Sequence, residues 1–110
     1  TVKGLKYHPG RFLAAFDDRS VDENERNAIL LETSRGESLV MVQIAGLIAR
    51  RIICYPTQGS FLMKGSRFGL IQFGSRVDVY LPKGADALVK VGDRVHGGES
   101  LLAKLKRDAA

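Results

Sequence analysis

The chain has 110 residues, 45% apolar and 26% charged, with one cysteine and a formal net charge of +5. This length suits one domain, the apolar fraction argues against disorder, and a lone Cys54 excludes a disulfide framework within the chain. The longest strictly apolar run, Phe12 to Phe16, is far short of the roughly 20 residues a membrane-spanning helix needs.

The basic excess favours an anionic partner. Nucleic acid fits poorly: the chain has five Phe, three Tyr and no Trp, without aromatic–basic alternation. It opens on Thr1 with no evident targeting segment and is expected to be a piece of a longer protein.

In chain order, Thr1 to Tyr7 alternates around Val2, Leu5 and Tyr7 and reads as a strand stopped by His8-Pro9-Gly10. Arg11 to Phe16 is a short apolar stretch. Asp17 to Asn27 is polar and acidic and reads as a long loop. Ala28 to Thr33 and Ser38 to Ile44 read as a hairpin around Ser34-Arg35-Gly36-Glu37. Leu47 to Tyr55 is β-branched enough for a strand, with a helical turn near Ala45 to Arg50 as the alternative. Pro56 to Arg67 reads as a loop whose Phe61-Leu62-Met63 insert is expected in the core, with an interfacial loop as the alternative. Phe68 to Phe73 and Val77 to Leu81 read as strands, and Pro82-Lys83-Gly84 as a turn. The tail carries short apolar stretches around Gly92-Asp93 and Gly97-Gly98. Many short strands and no long amphipathic stretch predict an all-β fold, a sandwich or barrel with long loops.

Conventional chemistry is sparse. His8 and His96 are far apart and in no metal-ligand spacing, so no metal site is predicted. Cys54 lies in an apolar run and reads as an inert thiol. Gly-Ser occurs at residues 59–60, 65–66 and 74–75. The third pair is distinct, because it interrupts a strongly β-like stretch. On the residues alone it reads as a β-bulge, a bend or a close backbone approach.

That stretch, Arg67-Phe68-Gly69-Leu70-Ile71-Gln72-Phe73-Gly74-Ser75-Arg76-Val77-Asp78-Val79-Tyr80-Leu81-Pro82, closely resembles the processing site of the phosphatidylserine decarboxylase family in its shorter form. Tyr7-His8-Pro9-Gly10-Arg11-Phe12, the acidic Asp22-Glu23-Asn24-Glu25-Arg26-Asn27, Val42-Gln43-Ile44-Ala45-Gly46 and Ala49-Arg50-Arg51-Ile52 resemble further blocks of that family, in order.

The resemblance implies self-cleavage at Gly74-Ser75, leaving residues 1–74 and a small chain, 75–110. Ser75 would become a covalent pyruvoyl group that forms a Schiff base with phosphatidylserine and acts as electron sink for decarboxylation. Archaetidylserine is the alternative substrate. A serine hydroxyl needs a base, and the resemblance places the assisting His and Asp upstream of Thr1. The chain is therefore expected to be the C-terminal part of the catalytic domain and, alone, to stay uncleaved. Expected partners are the missing N-terminal part and an anionic membrane surface, with peripheral attachment on the cytoplasmic side of the cell membrane.

Arg50, Arg51 and Arg76 are candidates for the lipid phosphate, with a solvated strand face as the alternative for each. The tail, Val89 to Leu102, also resembles half of a lipoyl- or biotinyl-carrier domain, which points to a barrel-sandwich-hybrid-like architecture. A carrier would need a modifiable lysine at a hairpin tip, and Lys64 is the nearest fit. A catalytically incomplete lipid-binding fragment is the remaining alternative.

Overall fold

The computed structural model describes residues 1–105. The chain divides into two compact units, Thr1–Tyr80 and Leu81–Ala110. The predicted all-β architecture is present. Eight strands form antiparallel sheets among the described residues, with one four-residue helix and no closed barrel.

The main sheet of the first unit comprises β1 (Val2–His8), β2 (Arg26–Glu32), β3 (Ser38–Ile44) and β6 (Arg76–Tyr80), in the order β1-β2-β3-β6. Past a register shift between Val2 and Gly4 in β1, the rows run straight across the sheet: Tyr7 faces Asn27, Asn27 faces Gln43, and Gln43 faces Val77. Directly opposed residues share a face. One face therefore carries Ile29, Asn27 and Gln43, all buried, while the neighbouring row runs His8, Arg26, Ile44 and Arg76. The core is small: Val2, Ile29, Ile44, Ala45 and Ala49. Each large aliphatic among them contributes roughly 1.5–3 kcal/mol by burial.

The hairpin turn is at the predicted place. Thr33 closes it, accepting at its carbonyl from Gly36 and donating its own N–H to Glu37. Two other expectations need correction. The loop from Asp17 to Asn27 contains a helical turn, α1 (Ser20–Glu23), and its last residues already belong to β2. The turn starts where Asp17 accepts from the Ser20 N–H at its carbonyl and from the Arg19 N–H at its carboxylate. The strand expected over Leu47 to Tyr55 shrinks to β4 (Ile52–Cys54). Upstream of it, Gly46 donates to the Ala49 carbonyl and Arg50 to the Ile48 carbonyl. This tight turn consumes backbone groups that a ladder would use and leaves Leu47 and Ile48 exposed.

β4 pairs with β5 (Gly69–Ile71), and in the second unit β7 (Asp86–Ala87) pairs with β8 (Ala103–Lys104). These two hairpins are a structural repeat. Ser60 donates its N–H to Thr57 and accepts the Thr57 N–H at its hydroxyl; Asp93 does the same with Lys90, at its carboxylate. Ser66 donates to Met63 as Glu99 does to His96. The positive-φ glycines correspond too, Gly59 with Gly92 and Gly65 with Gly98. The interval is constant along the chain.

The Phe61-Leu62-Met63 insert is not in the core. The turn at Met63–Ser66 lifts it to a tip where Phe61 and Met63 are exposed.

Candidate active site

Gly74-Ser75 does not form a β-bulge. It lies in the turn between β5 and β6, which belong to different sheets, so the chain must change direction there. Gly74 makes this possible with φ +90, a backbone conformation costly for residues with a Cβ. Ser75 is half-buried and donates its hydroxyl to the Gln72 carbonyl at 2.7 Å.

Three segments meet around this turn and line an open apolar cavity of about 500 Å³. Ala14, Ala15 and Phe16 form one wall, Leu47 and Ile48 a second, and Phe73, Gly74, Ser75 and Arg76 the third. Its rim is apolar yet open to solvent: Phe16 is 90% exposed, Ile48 80% and Phe73 99%.

The first two walls are fixed by one buried side chain. Asn24 accepts the Leu13 N–H at Oδ1 and donates from Nδ2 to the carbonyls of Leu13 and Ala45. A second buried pair, Asn27 and Gln43, links the main sheet to the β4–β5 hairpin. Asn27 Nδ2 donates to Gln43 Oε1, and Gln43 Nε2 donates to the Ile53 carbonyl.

Of the three candidate arginines, Arg76 lines the cavity. Its guanidinium is already paired with Asp78, Nε to Oδ1 at 2.6 Å. That hydrogen bond, reinforced by the charges of Asp78 and Asp18, raises its pKa despite partial desolvation. Arg50 stacks over Phe12 at 4.9 Å and donates Nε to the Leu47 carbonyl, bracing the second wall from outside the cavity lining. Arg51 is exposed and is not part of the lining.

The acidic segment follows directly on Phe16 of the wall, and the charge of its Asp18 acts on Arg76. Asp17 is held at a pKa of about 2, chiefly by its hydrogen bond from the Arg19 guanidinium and then by the Arg19 N–H. His8 ends β1, and its pKa is lowered by desolvation and by the Arg26 and Lys6 charges. Among the described residues, no three His, Cys, Asp or Glu side chains converge as metal ligands.

A family model, phosphatidylserine decarboxylase, matches residues 1–103. The chain belongs to the phosphatidylserine decarboxylase family. It is 54% identical over 99 residues to a protein of Geotalea uraniireducens named phosphatidylserine decarboxylase proenzyme, covering 90% of this chain and 46% of that relative. Relatives of the same name from Burkholderia cenocepacia (strain HI2424) and Burkholderia mallei are 49% and 51% identical, covering 96% and 94% of this chain and 50% and 48% of theirs. The chain thus spans about half the length of the curated relatives it matches. No solved structure matches.

The resemblance marked Gly74 and Ser75 for processing, and the structure puts both on the cavity wall of this family member. Sequence reasoning missed Asn24 and Gly46 as builders of the site, and Asn27 and Gln43 as the buried link between the sheets. All four lay inside the family-like blocks, but a polar residue in a strand or acidic loop reads first as solvated. The carrier reading has one matching feature, Lys64 exposed at a hairpin tip, and family membership sets it aside.

Proposed function

We propose that this chain carries the processing and decarboxylating centre of a phosphatidylserine decarboxylase. The observation that carries this reading is a Gly-Ser bond held in a positive-φ turn on the wall of an apolar cavity. In this reading the Ser75 hydroxyl attacks the Gly74 carbonyl, the chain separates into residues 1–74 and 75–110, and Ser75 is the precursor of a pyruvoyl group.

The residues present suit such a group. Ser75 supplies the β-oxygen that the conversion must lose, and its position on the cavity wall leaves the new terminus facing space that can admit a substrate. When present, the pyruvoyl carbonyl supplies the electron sink for the pair left by departing carbon dioxide. The protein residues do the rest. Phe16, Leu47, Ile48 and Phe73 give an exposed apolar rim that matches lipid chains. Arg76, with Arg50 and Arg51 beyond the rim, provides the positive side suited to a lipid phosphate. The net charge of +5 favours peripheral attachment to an anionic bilayer on the cytoplasmic side.

The cavity lining contains no carboxylate or imidazole among the described residues. A serine hydroxyl at neutral pH needs a base. In this reading that base is the upstream His, assisted by Asp, in the remaining half of the protein.

The test is carbon dioxide release from phosphatidylserine vesicles by the full-length protein and by its Ser75→Ala variant. The reading expects the parent to release carbon dioxide and the variant to be both uncleaved and inactive. Activity surviving in an uncleaved Ser75→Ala protein would remove it.

A further inference from the structure

The Gly74 carbonyl rests on a second glycine. Gly46 is buried two residues past the end of β3, and its backbone is held from several sides. Ala45 donates its N–H to the Glu25 carbonyl and accepts Asn24 Nδ2 at its own carbonyl, while Gly46 donates to Ala49. A Cβ placed on Gly46 would fall 1.9 Å from the Gly74 oxygen, 3.0 Å from the Gly74 carbonyl carbon and 3.5 Å from Ala15 Cβ. Real side chains do not approach so closely, so a methyl group here displaces either the carbonyl or the Ala45–Gly46 segment.

The two glycines meet different needs at one peptide bond. Gly74 is required by its φ of +90, since a Cβ there would meet nothing within 4 Å. Gly46 is required by contact alone.

We infer that Gly46 is a positioning residue for self-cleavage: its bare Cα is the shelf that fixes the carbonyl presented to Ser75. The inference rests on the reading of Gly74–Ser75 as the processed bond. In the first step, a bond forms between Ser75 Oγ and the Gly74 carbonyl carbon, and the bond from that carbon to the Ser75 nitrogen breaks. The hydroxyl proton ends on the freed Ser75 amine, so no atom is gained or lost. The attack depends on the face and distance of the carbonyl, and a misplacement of about 1 Å can cost about a hundredfold in rate.

The experiment uses the full-length protein with Gly46→Ala, beside Gly69→Ala as a control. A Cβ at Gly69 would fall 2.2 Å from the Ile53 carbonyl oxygen and 2.7 Å from Gln43 Nε2, a clash of similar severity at the link between the sheets that does not involve Gly74. Appearance of the small chain that begins at residue 75 is followed by mass spectrometry. Stability is read by urea unfolding in a Ser75→Ala background, where no cleavage can confuse the comparison. Gly46→Ala is expected to slow cleavage roughly tenfold or more, with a loss of stability no larger than that of Gly69→Ala, which cleaves substantially faster than Gly46→Ala.

Cleavage of Gly46→Ala at the parent rate would overturn the inference. So would slowing of both variants in proportion to their lost stability, or failure of Gly46→Ala to fold in the Ser75→Ala background, since either makes Gly46 a general structural requirement. A parent protein that never cleaves at residue 74 would instead overturn the underlying reading, and the inference with it.

Discussion

The side-chain amide of Asn24 donates to the carbonyl of Ala45 at 2.7 Å, across the 21 residues that separate them in sequence. With its two bonds to Leu13, this buried side chain ties the Ala14–Phe16 wall to the segment that carries Gly46. Truncation would orphan the Leu13 N–H and the Leu13 and Ala45 carbonyls together. Asn24→Ala is therefore expected to lower stability by about 3 kcal/mol, from the desolvation cost of buried unpaired polar groups. Urea unfolding checks this, and a loss indistinguishable from that of an exposed surface substitution would contradict it.

Gly74→Ala tests backbone strain separately from packing. Nothing lies within 4 Å of an added Cβ, so the cost comes from φ alone. In the Ser75→Ala background, where cleavage cannot intervene, it is expected to destabilise by about 1–2 kcal/mol. Gly4→Ala, whose added Cβ meets Leu30 at an ordinary 3.8 Å, should cost less. Equal unfolding midpoints for the two variants would count against the strained turn.

Asp17 carries a pH signature. Its folded pKa of about 2 lies below its ordinary value of 3.8, so folding favours the ionised form. The associated stabilisation is present above the ordinary carboxylate range and is lost as pH falls from about 4 through about 2. A carboxyl-carbon NMR titration should find a midpoint near 2, and Arg19→Ala should return it towards 3.8. A midpoint unmoved by Arg19→Ala would contradict the assignment.

The Arg76–Asp78 pair joins residues two apart on β6 and is partly solvated, with side chains 33% and 18% exposed. Asp78→Asn is expected to cost about 1 kcal/mol or less, with a smaller loss at high salt. Unfolding at two salt concentrations measures it. A loss that grows with salt would show that the pair acts through something other than charge.

Much of this architecture was legible because strands announce themselves locally. Ser38 to Ile44 matched its predicted bounds, and β1 and β2 came within two residues of theirs, since alternation and turn residues are properties of neighbours. Leu47 and Ile48 misled for the same reason: β-branched, apolar composition says strand, but Gly46 and Ala49 close a turn first. Gly74-Ser75 stood out locally because it interrupts a β-like stretch, a pattern that allowed a bulge, a bend or a close backbone approach, and the resemblance to a processing site gave it a function. What failed to show was long-range. No local pattern reveals that Asn24 reaches Ala45, that Gln43 reaches Ile53, or that Gly46 touches Gly74. The repeated hairpin was visible in principle, as Gly59 and Gly65 recur at Gly92 and Gly98, but its repeats are short and their apolar residues differ.

The most direct test of the central claim is the mass of the N-terminal residue of the small chain in the full-length protein. The expected result is a break between Gly74 and Ser75, with the chain that begins at residue 75 lighter by one ammonia than its serine-started form and blocked to Edman degradation. An intact chain, or a small chain whose residue 75 is an ordinary serine amine, would contradict it.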